Sequence, residues 1–342
     1  MRWDSEQRSV NERLAKIRAS QSSALGRKFM DDLTKMIVIP FDGSKNALRS
    51  LDYLNLIYGP KYNLKMILFH ILPYLPSIIS DDGTIDHHSW SKIRATEKKN
   101  VQMAERILSE ARNTLIEMGF EEERIQTLYR KKEKDVALDA CRWSQNNKAD
   151  AILISRHGRT SLEDFFMGEI SNKVVEHCQF CPVWIVDGTI DTVKVLLCID
   201  HSENALRAVD HAGFMLSGTD CQVTLFHSMR HLRHFLPLEA LEDASDLDKL
   251  WKHKAGKQIA PYMKKAREML LNAGLSADKI ATKVVDGTRS PANDILKEAG
   301  NNNFGTIVLG RRGLSGFKEF FMGSVTSKVL CRSLGLATWI VQ

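Results

Sequence analysis

The sequence predicts an α/β protein built from two tandem, five-stranded, parallel doubly wound domains, and three observations predict it. The first is length, since 342 residues correspond to about two domains at ~150 residues each. The second is an internal repeat that covers almost everything after residue 35. Ile37 to Arg49 aligns with Val195 to Arg207, which places Asp42 on Asp200 and Ser44 on Ser202. Leu68-Phe69-His70 recurs as Leu225-Phe226-His227, Phe165-Phe166-Met167-Gly168 as Phe320-Phe321-Met322-Gly323, and Trp184-Ile185-Val186 as Trp339-Ile340-Val341. Order and spacing are nearly constant, so a whole domain is duplicated and the chain is not a solenoid of short units. The third observation is that short β-branched runs alternate with longer stretches of helical period inside each copy.

In chain order, residues 1–34 have no counterpart in the second copy and read as an N-terminal helical extension. Val10, Leu14, Ile17, Leu25 and Phe29 share one face, suited to packing on the body of the protein or on a second subunit, and the mixed charges argue against a membrane surface. The first domain, 35–190, has expected strands at about 36–40, 65–71, 125–129, 150–155 and 183–186. The second, 191–342, has them at about 194–199, 222–227, 281–285, 306–309 and 338–341. Four helices per copy lie between the strands. Glu97 to Met118 is one of them, because Val101, Ala104, Ile107, Leu108, Ala111 and Leu115 recur at helical spacing and make one apolar face. Ala151 to Ile154 and Thr306 to Leu309 show no polar alternation, so both faces of the sheet are covered, as in parallel sheets. Such sheets bind ligands beyond the carboxyl ends of their strands, where strand order reverses, which directs attention to the residues just after each strand.

Composition excludes several classes of function. Hydrophobic residues make up 43% and charged residues 26%, with 8 prolines and 20 glycines, a water-soluble globular profile without disordered or fibrous bias. The net charge of +6 is spread through mixed runs such as Arg130 to Asp135. That suits a small anionic ligand and is too dilute for nucleic acid. No apolar run approaches the ~18 residues of a membrane span, and Met1 to Leu33 lacks a secretory apolar core, so a cytoplasmic protein is expected. The six cysteines read as thiols of a reducing compartment. Cys178-Gln-Phe-Cys181, even with His177, supplies at most three ligands where structural zinc takes four, and it precedes a strand instead of opening a helix as redox pairs do. His87, His88, His231 and His234 read as solvated loop residues. No metal ligand and no catalytic residue is assigned.

Post-strand positions of the second copy carry the chemistry. Strand one ends at Asp200, strand two at His227-Ser228, and strand four runs into Gly310-Arg311-Arg312-Gly313 and, after nine residues, Gly323-Ser324. Glycines at 310 and 313 allow backbone N–H groups close to a phosphate. Ser324 opens a helix whose N-terminal dipole favours an anion, and Arg311 and Arg312 add positive charge. The alternative is that the glycines merely turn the chain between strand and helix.

Two tandem copies with Asp at the end of strand one, Leu-Phe-His in strand two and Gly-x2-Gly-x9-Gly-Ser after strand four resemble the universal stress protein family in a tandem two-domain form. The resemblance covers about residues 35–342. It implies an adenine-nucleotide α-hydrolase-like fold and, for the copy with the full glycine motif, binding of ATP, with or without Mg2+. Carried over position by position, it places Cys198, Ile199 and Asp200 by the ribose and the metal-bridged phosphates and Ser228 against the adenine. Leu309 and Gly310 would border adenine and ribose, Arg312 and Gly313 the phosphates, and Gly323, Ser324 and Val325 would donate to the terminal phosphates. Cys198 departs from the proline of many members, and Val285 to Pro291 is a lengthened form of the family's glycine-proline turn after strand three. The first copy departs further: Ser155 replaces the first glycine, and Glu169, expected to cap its own helix, replaces the phosphate-binding serine.

The resemblance therefore implies a stress-response sensor or regulatory protein with about one adenine nucleotide per chain, in the second copy, and little or no turnover. Hydrolysis needs a water-orienting group, and Glu319 is the sole carboxylate of the loop. Two alternatives stay open: a slow ATPase or self-phosphorylating enzyme using Asp200 and Ser324, and a nucleotide-free interaction protein. Strand five, which ends the copies in Trp184-Ile185-Val186 and Trp339-Ile340-Val341, resembles the strand such domains use to pair, so an internal pseudo-dimer of the two copies, further association into a homodimer and a regulatory protein partner complete the expectations.

Overall fold

The structure, a computed structural model, describes residues 34–60, 62–73, 87–157, 167–230, 232, 245–313 and 322–342; the expected N-terminal helix lies outside them. The described chain falls into two compact units, one holding residues 35–191 with 331–340 and 342, the other 192–330 with 341.

In the first unit the strands are β1 (Lys35–Pro40), β2 (Leu64–Leu72), β3 (Ile125–Lys131), β4 (Ala151–Ser155), β5 (Val183–Val186) and the chain's last strand, β10 (Ala337–Val341). Their order is β3-β2-β1-β4-β5-β10. All pairings are parallel except that of β10, antiparallel to β5 with Trp339 opposite Trp184. The two indole rings stack with centroids 3.7 Å apart, and Trp339 Nε1–H donates to Tyr53 Oη at 2.9 Å. Such a pair adds roughly 0.5–1.5 kcal/mol beyond its burial.

The helices are α1 (Lys45–Tyr58), α2 (His87–Glu117), α3 (Val136–Asn146) and α4 (Glu169–His177). Ser44 and Asp135 start α1 and α3 by accepting the N–H of Ala47 and Ala137, satisfying donors that a helix start otherwise leaves open. The apolar face read over 97–118 is real, since Ala104, Ile107, Leu108, Ala111 and Leu115 are buried. The helix begins earlier than expected, however, and His87 and His88 lie in its first turn instead of in a loop.

The second unit repeats the pattern with β6 (Lys194–Cys198), β7 (Gln222–Met229), β8 (Ile280–Asp286) and β9 (Thr306–Gly310) in the order β9-β6-β7-β8, all parallel. Its helices are α5 (Glu203–Leu216), α6 (Ser245–Asn272), α7 (Pro291–Asn301) and α8 (Ser324–Arg332). β7 runs on to Met229 because β8 continues beside it to Asp286, so Ser228 sits inside the ladder opposite Val285. In each unit strand order reverses beside the first strand of the copy, between β1 and β4 and between β6 and β9, where crevices form in such sheets.

One sheet face differs between the copies. In the first, Val38, Ile67, Phe69, Ile71 and Ala140 form a dry cluster covered by Met36, Leu128, Trp143 and Ala149, with Trp143 stacked on Phe69 at 5.6 Å. In the second, Lys194, Thr224, Lys283, Glu298 and Phe304 take the places of Met36, Ile67, Leu128, Trp143 and Ala149 and line a polar cleft of about 390 Å³. Lys283 Nζ donates to Glu298 Oε1 there at 2.8 Å.

Candidate functional site

The site starts at the carboxyl end of β6. Ile199 N–H donates to Phe226 O at 2.8 Å, which keeps the chain in the sheet one residue past the strand. Asp200 then turns it: its Oδ1 accepts the N–H of Ser202 at 3.0 Å and the Ser202 hydroxyl, the local bonding that suits aspartate to turns. Ser202 Oγ accepts Ala205 N–H at 3.1 Å and so starts α5. His227 Nδ1–H donates to Ile199 O at 2.7 Å. Burial lowers the pKa of this imidazole against the opposing pull of that carbonyl and of Asp200, so the ring is neutral and braces the turn from below. The first copy builds the same turn, with Ser44 N–H on Asp42 Oδ1 at 2.9 Å and His70 Nδ1 on Phe41 O at 2.7 Å.

Close approaches call for glycine at positions 310 and 313. A β-carbon at Gly310 would stand 2.8 Å from Asn204 O and 2.9 Å from its carbonyl carbon, so this residue lets the end of β9 lie against the first turn of α5. At Gly313 a β-carbon would stand 2.6 Å from Asp200 Oδ2, so the loop backbone comes directly against the carboxylate. Gly323 lies beside both: its N–H donates to Arg311 O at 2.9 Å, and its added β-carbon would sit 3.5 Å from Gly313 N. Thr326 Oγ1 donates to Gly310 O at 2.9 Å, which pins the start of α8 to the end of β9. These glycines thus do more than turn the chain. Residues 314–321, Glu319 among them, lie outside the described residues.

Of the sequence-derived candidates, Asp200, Gly310, Gly313 and Gly323 are brought together, and Ser324, exposed, and Val325, half-buried, come directly after them in α8. Cys198, Ile199 and Leu309 have buried side chains, leaving their backbone as the part near the crevice. Burial, and next Asp200, push the Cys198 thiol up, so it is no thiolate. Arg312 is half-buried in the loop. Arg311 corrects the expectation of two arginines facing an anion. It is only 3% exposed, and so is its repeat counterpart Arg156, at 1%, which donates to Cys331 O at 2.9 Å. A feature shared by both copies regardless of the glycine motif belongs to packing.

Ser228 is tied down. Its hydroxyl donates to Asp294 Oδ2 at 2.6 Å, which also accepts Thr288 N–H at 2.9 Å, and a β-carbon at Gly287 would come within 2.0 Å of Ser228 Oγ. The lengthened turn is therefore closed by Asp294, a residue that sequence reasoning missed. The repeat held the signal, since its counterpart Asp139 accepts the N–H groups of Glu133 and Lys134.

In the first copy Glu169 does not cap its helix. The cap is Gly168, with no side-chain bond, and the Glu169 carboxylate, 81% exposed, accepts from Lys173 Nζ at 2.7 Å. The same Nζ reaches Asp135 Oδ2 at 2.9 Å. The correction is one of reach, because a glutamate and a lysine four residues apart on a helix meet each other more readily than a glutamate bends back to its own helix start. Burial raises the Asp135 pKa, but the bonds from Lys173 and Ala137 outweigh it and hold the carboxyl below its ordinary value. Glu169 first and Asp135 next hold the Lys173 ammonium above the usual lysine range.

The remaining candidates do not join this site. Cys178 Sγ donates to Cys181 O at 3.5 Å and Cys181 Sγ to Ala149 O at 3.3 Å, and both thiols are buried. Among the described residues no three His, Cys, Asp or Glu side chains cluster as metal ligands, and no helix is long and apolar enough to cross a membrane. His231 and His234 lie outside the described residues.

Comparison with known proteins decides the family. The model of the universal stress protein family matches twice, over residues 34–187 and 192–333. The chain belongs to the universal stress protein family. Universal stress protein YxiE of Bacillus subtilis (strain 168) is 27% identical over 147 residues, covering 40% of this chain and 90% of that protein. The crystal structure of a universal stress protein from Archaeoglobus fulgidus DSM 4304 matches with a TM-score of 0.57 at 19% identity, covering 89% of this chain and 97% of its own. A functionally unknown protein from Pseudomonas aeruginosa PAO1 matches with a TM-score of 0.53 at 15% identity, over 91% and 93%. These two likenesses establish the fold of this tandem universal stress protein, a mostly parallel α/β architecture in each repeat.

Proposed function

We propose that the second copy binds an adenine nucleotide, ATP with or without Mg2+, and that the protein is a stress-response sensor or regulatory module with little or no turnover. The observation that carries this reading is the convergence of Gly313 on Asp200 and of Gly323 on Gly313 at the strand-order reversal, with Ser324 exposed in the first turn of α8. The residues fit such a ligand, because Gly313, which has no side chain, brings the loop backbone against the Asp200 carboxylate. The backbone of Cys198 and Ile199 with Asp200 would hold the ribose and a phosphate-bound Mg2+, and Leu309 and Gly310 the adenine side. Arg312, Gly313, Gly323, Ser324 and Val325 would hold the phosphates. Ser228 would border the adenine through its methylene, its hydroxyl being given to Asp294. A bound Mg2+ would supply charge neutralisation between phosphates. Low turnover is expected from Asp200, whose Oδ1 already takes two donors from Ser202 and so makes a poor base. Output through a regulatory protein partner, as a homodimer in the cytoplasm, belongs to the same proposal.

Calorimetry on the full chain tests it, with one ATP per chain expected. Ser324→Glu, which places the Glu169 carboxylate in the second copy, should weaken binding at least about a hundredfold, since like charges a few ångströms apart repel by several kcal/mol. Gly168→Ala should leave binding unchanged. Two sites per chain, or none, would overturn the reading, and steady release of ADP would replace the sensor with a slow ATPase.

A further inference from the structure

The two copies keep one cation and differ in the anions around it. In the first, Lys173 Nζ lies 2.7 Å from Glu169 and 2.9 Å from Asp135, and α3 is packed along α4. The repeat places Lys328 on Lys173, Ser324 on Glu169 and Ser290 on Asp135. Ser290 starts α7 as Asp135 starts α3, so the positions correspond in structure and not only in alignment. Both carboxylates have become hydroxyls while the ammonium remains. Among the described residues Lys328 has no ion-pair partner, it is exposed, and α7 and α8 share at most isolated contacts.

From this difference we infer that Lys328, with the hydroxyls of Ser324 and Ser290, holds the terminal phosphate of the nucleotide and makes the site selective for triphosphates over monophosphates. The inference rests on the proposal that the second copy binds ATP and adds a residue that the glycine motif does not contain. Two formal negative charges have left the place occupied by Glu169 and Asp135, and a terminal phosphate returns roughly the same charge, about −1.5 to −2 near neutral pH. The side-chain direction is set by the helix, since residues four apart stand on one face about 5–6 Å from each other. Lys328 therefore stands over Ser324 as Lys173 stands over Glu169. The Lys173 bridge of the first copy is the internal counterpart of that bound phosphate: the chain's own carboxylates satisfy the cation and draw the two helices together.

The test is calorimetric titration of the full-length wild type, Lys328→Met and Lys328→Arg with ATP and with AMP. Lys328→Met should weaken ATP at least about tenfold, the scale of a lost charge-assisted hydrogen bond. AMP should change less than about twofold, and Lys328→Arg should restore most of the ATP affinity. An unchanged ratio of ATP to AMP affinity in Lys328→Met, or equal losses for both, overturns this inference while leaving nucleotide binding standing. A wild type that binds neither nucleotide overturns the proposed ATP binding and this inference with it.

Discussion

Set side by side, the two copies use one backbone plan for opposite ends. After β1 and after β6 the same aspartate-serine turn is braced by the same histidine. In both, the glycine before the last helix donates to the carbonyl of a buried arginine at 2.9 Å. Around that frame the first copy neutralises itself, with a tryptophan filling its sheet face and a lysine bridging two of its own carboxylates. The second copy leaves the sheet face polar, and among the described residues its lysine, Lys328, has no carboxylate bridge. The lesson is that duplication preserves the groups the backbone needs, while the positions that only fill space or balance charge drift apart.

The comparison can be broken at three places. The largest effect concerns acid. His211 in α5 is held at about 3 by burial, from an ordinary 6.5, and Tyr53 stands at its place in the first copy. Between those two values the unfolded chain binds a proton that the folded chain refuses. Stability of the second unit should be complete above about pH 6.5 and decline as pH falls towards 3, by up to about 4 kcal/mol. Hydrogen exchange read by mass spectrometry, peptide by peptide, should show that slope in the second unit, and His211→Gln should flatten it. An equal slope in peptides around Tyr53 would assign the effect elsewhere.

The next effect concerns the sheet face. Trp143→Ala removes the ring from Phe69 and should lower stability of the first unit by about 3 kcal/mol, whereas Glu298→Ala at the matching position should stay within about 1 kcal/mol. Urea titration of the two variants decides it, and equal shifts would mean that the polar cleft is as tightly packed as the dry cluster. The smallest effect tests Gly310. With backbone atoms 2.8–2.9 Å from its missing β-carbon, Gly310→Ala should cost about 2 kcal/mol. Ser155→Ala, which loses one bond to His157 O, should cost about 1 kcal/mol or less. A neutral Gly310→Ala would show that α5 yields at Asn204.

Much of the fold was legible because its signals are local. Runs such as Ala151 to Ile154 are buried on both faces and carry no polar alternation, and the repeat supplied each strand twice. The glycine spacing was legible too, but its cause was not. Nothing in the order of residues says that Gly310 must admit Asn204 or that Gly313 must admit Asp200, because those partners lie more than a hundred positions away.

By itself the sequence determined that this protein is a duplication, where its ten strands run, and that the full glycine motif survives in one copy alone. Those are properties of periodicity and of residue type at fixed spacing, which a linear chain carries openly. Only the tertiary structure decided that Arg311 is buried, that Glu169 turns to Lys173, that Asp294 holds Ser228, and that Lys328 stands without the carboxylates its counterpart has. Side-chain partners are chosen by distance in space after the sheet has folded, and charges balanced by remote residues leave no trace in the local pattern.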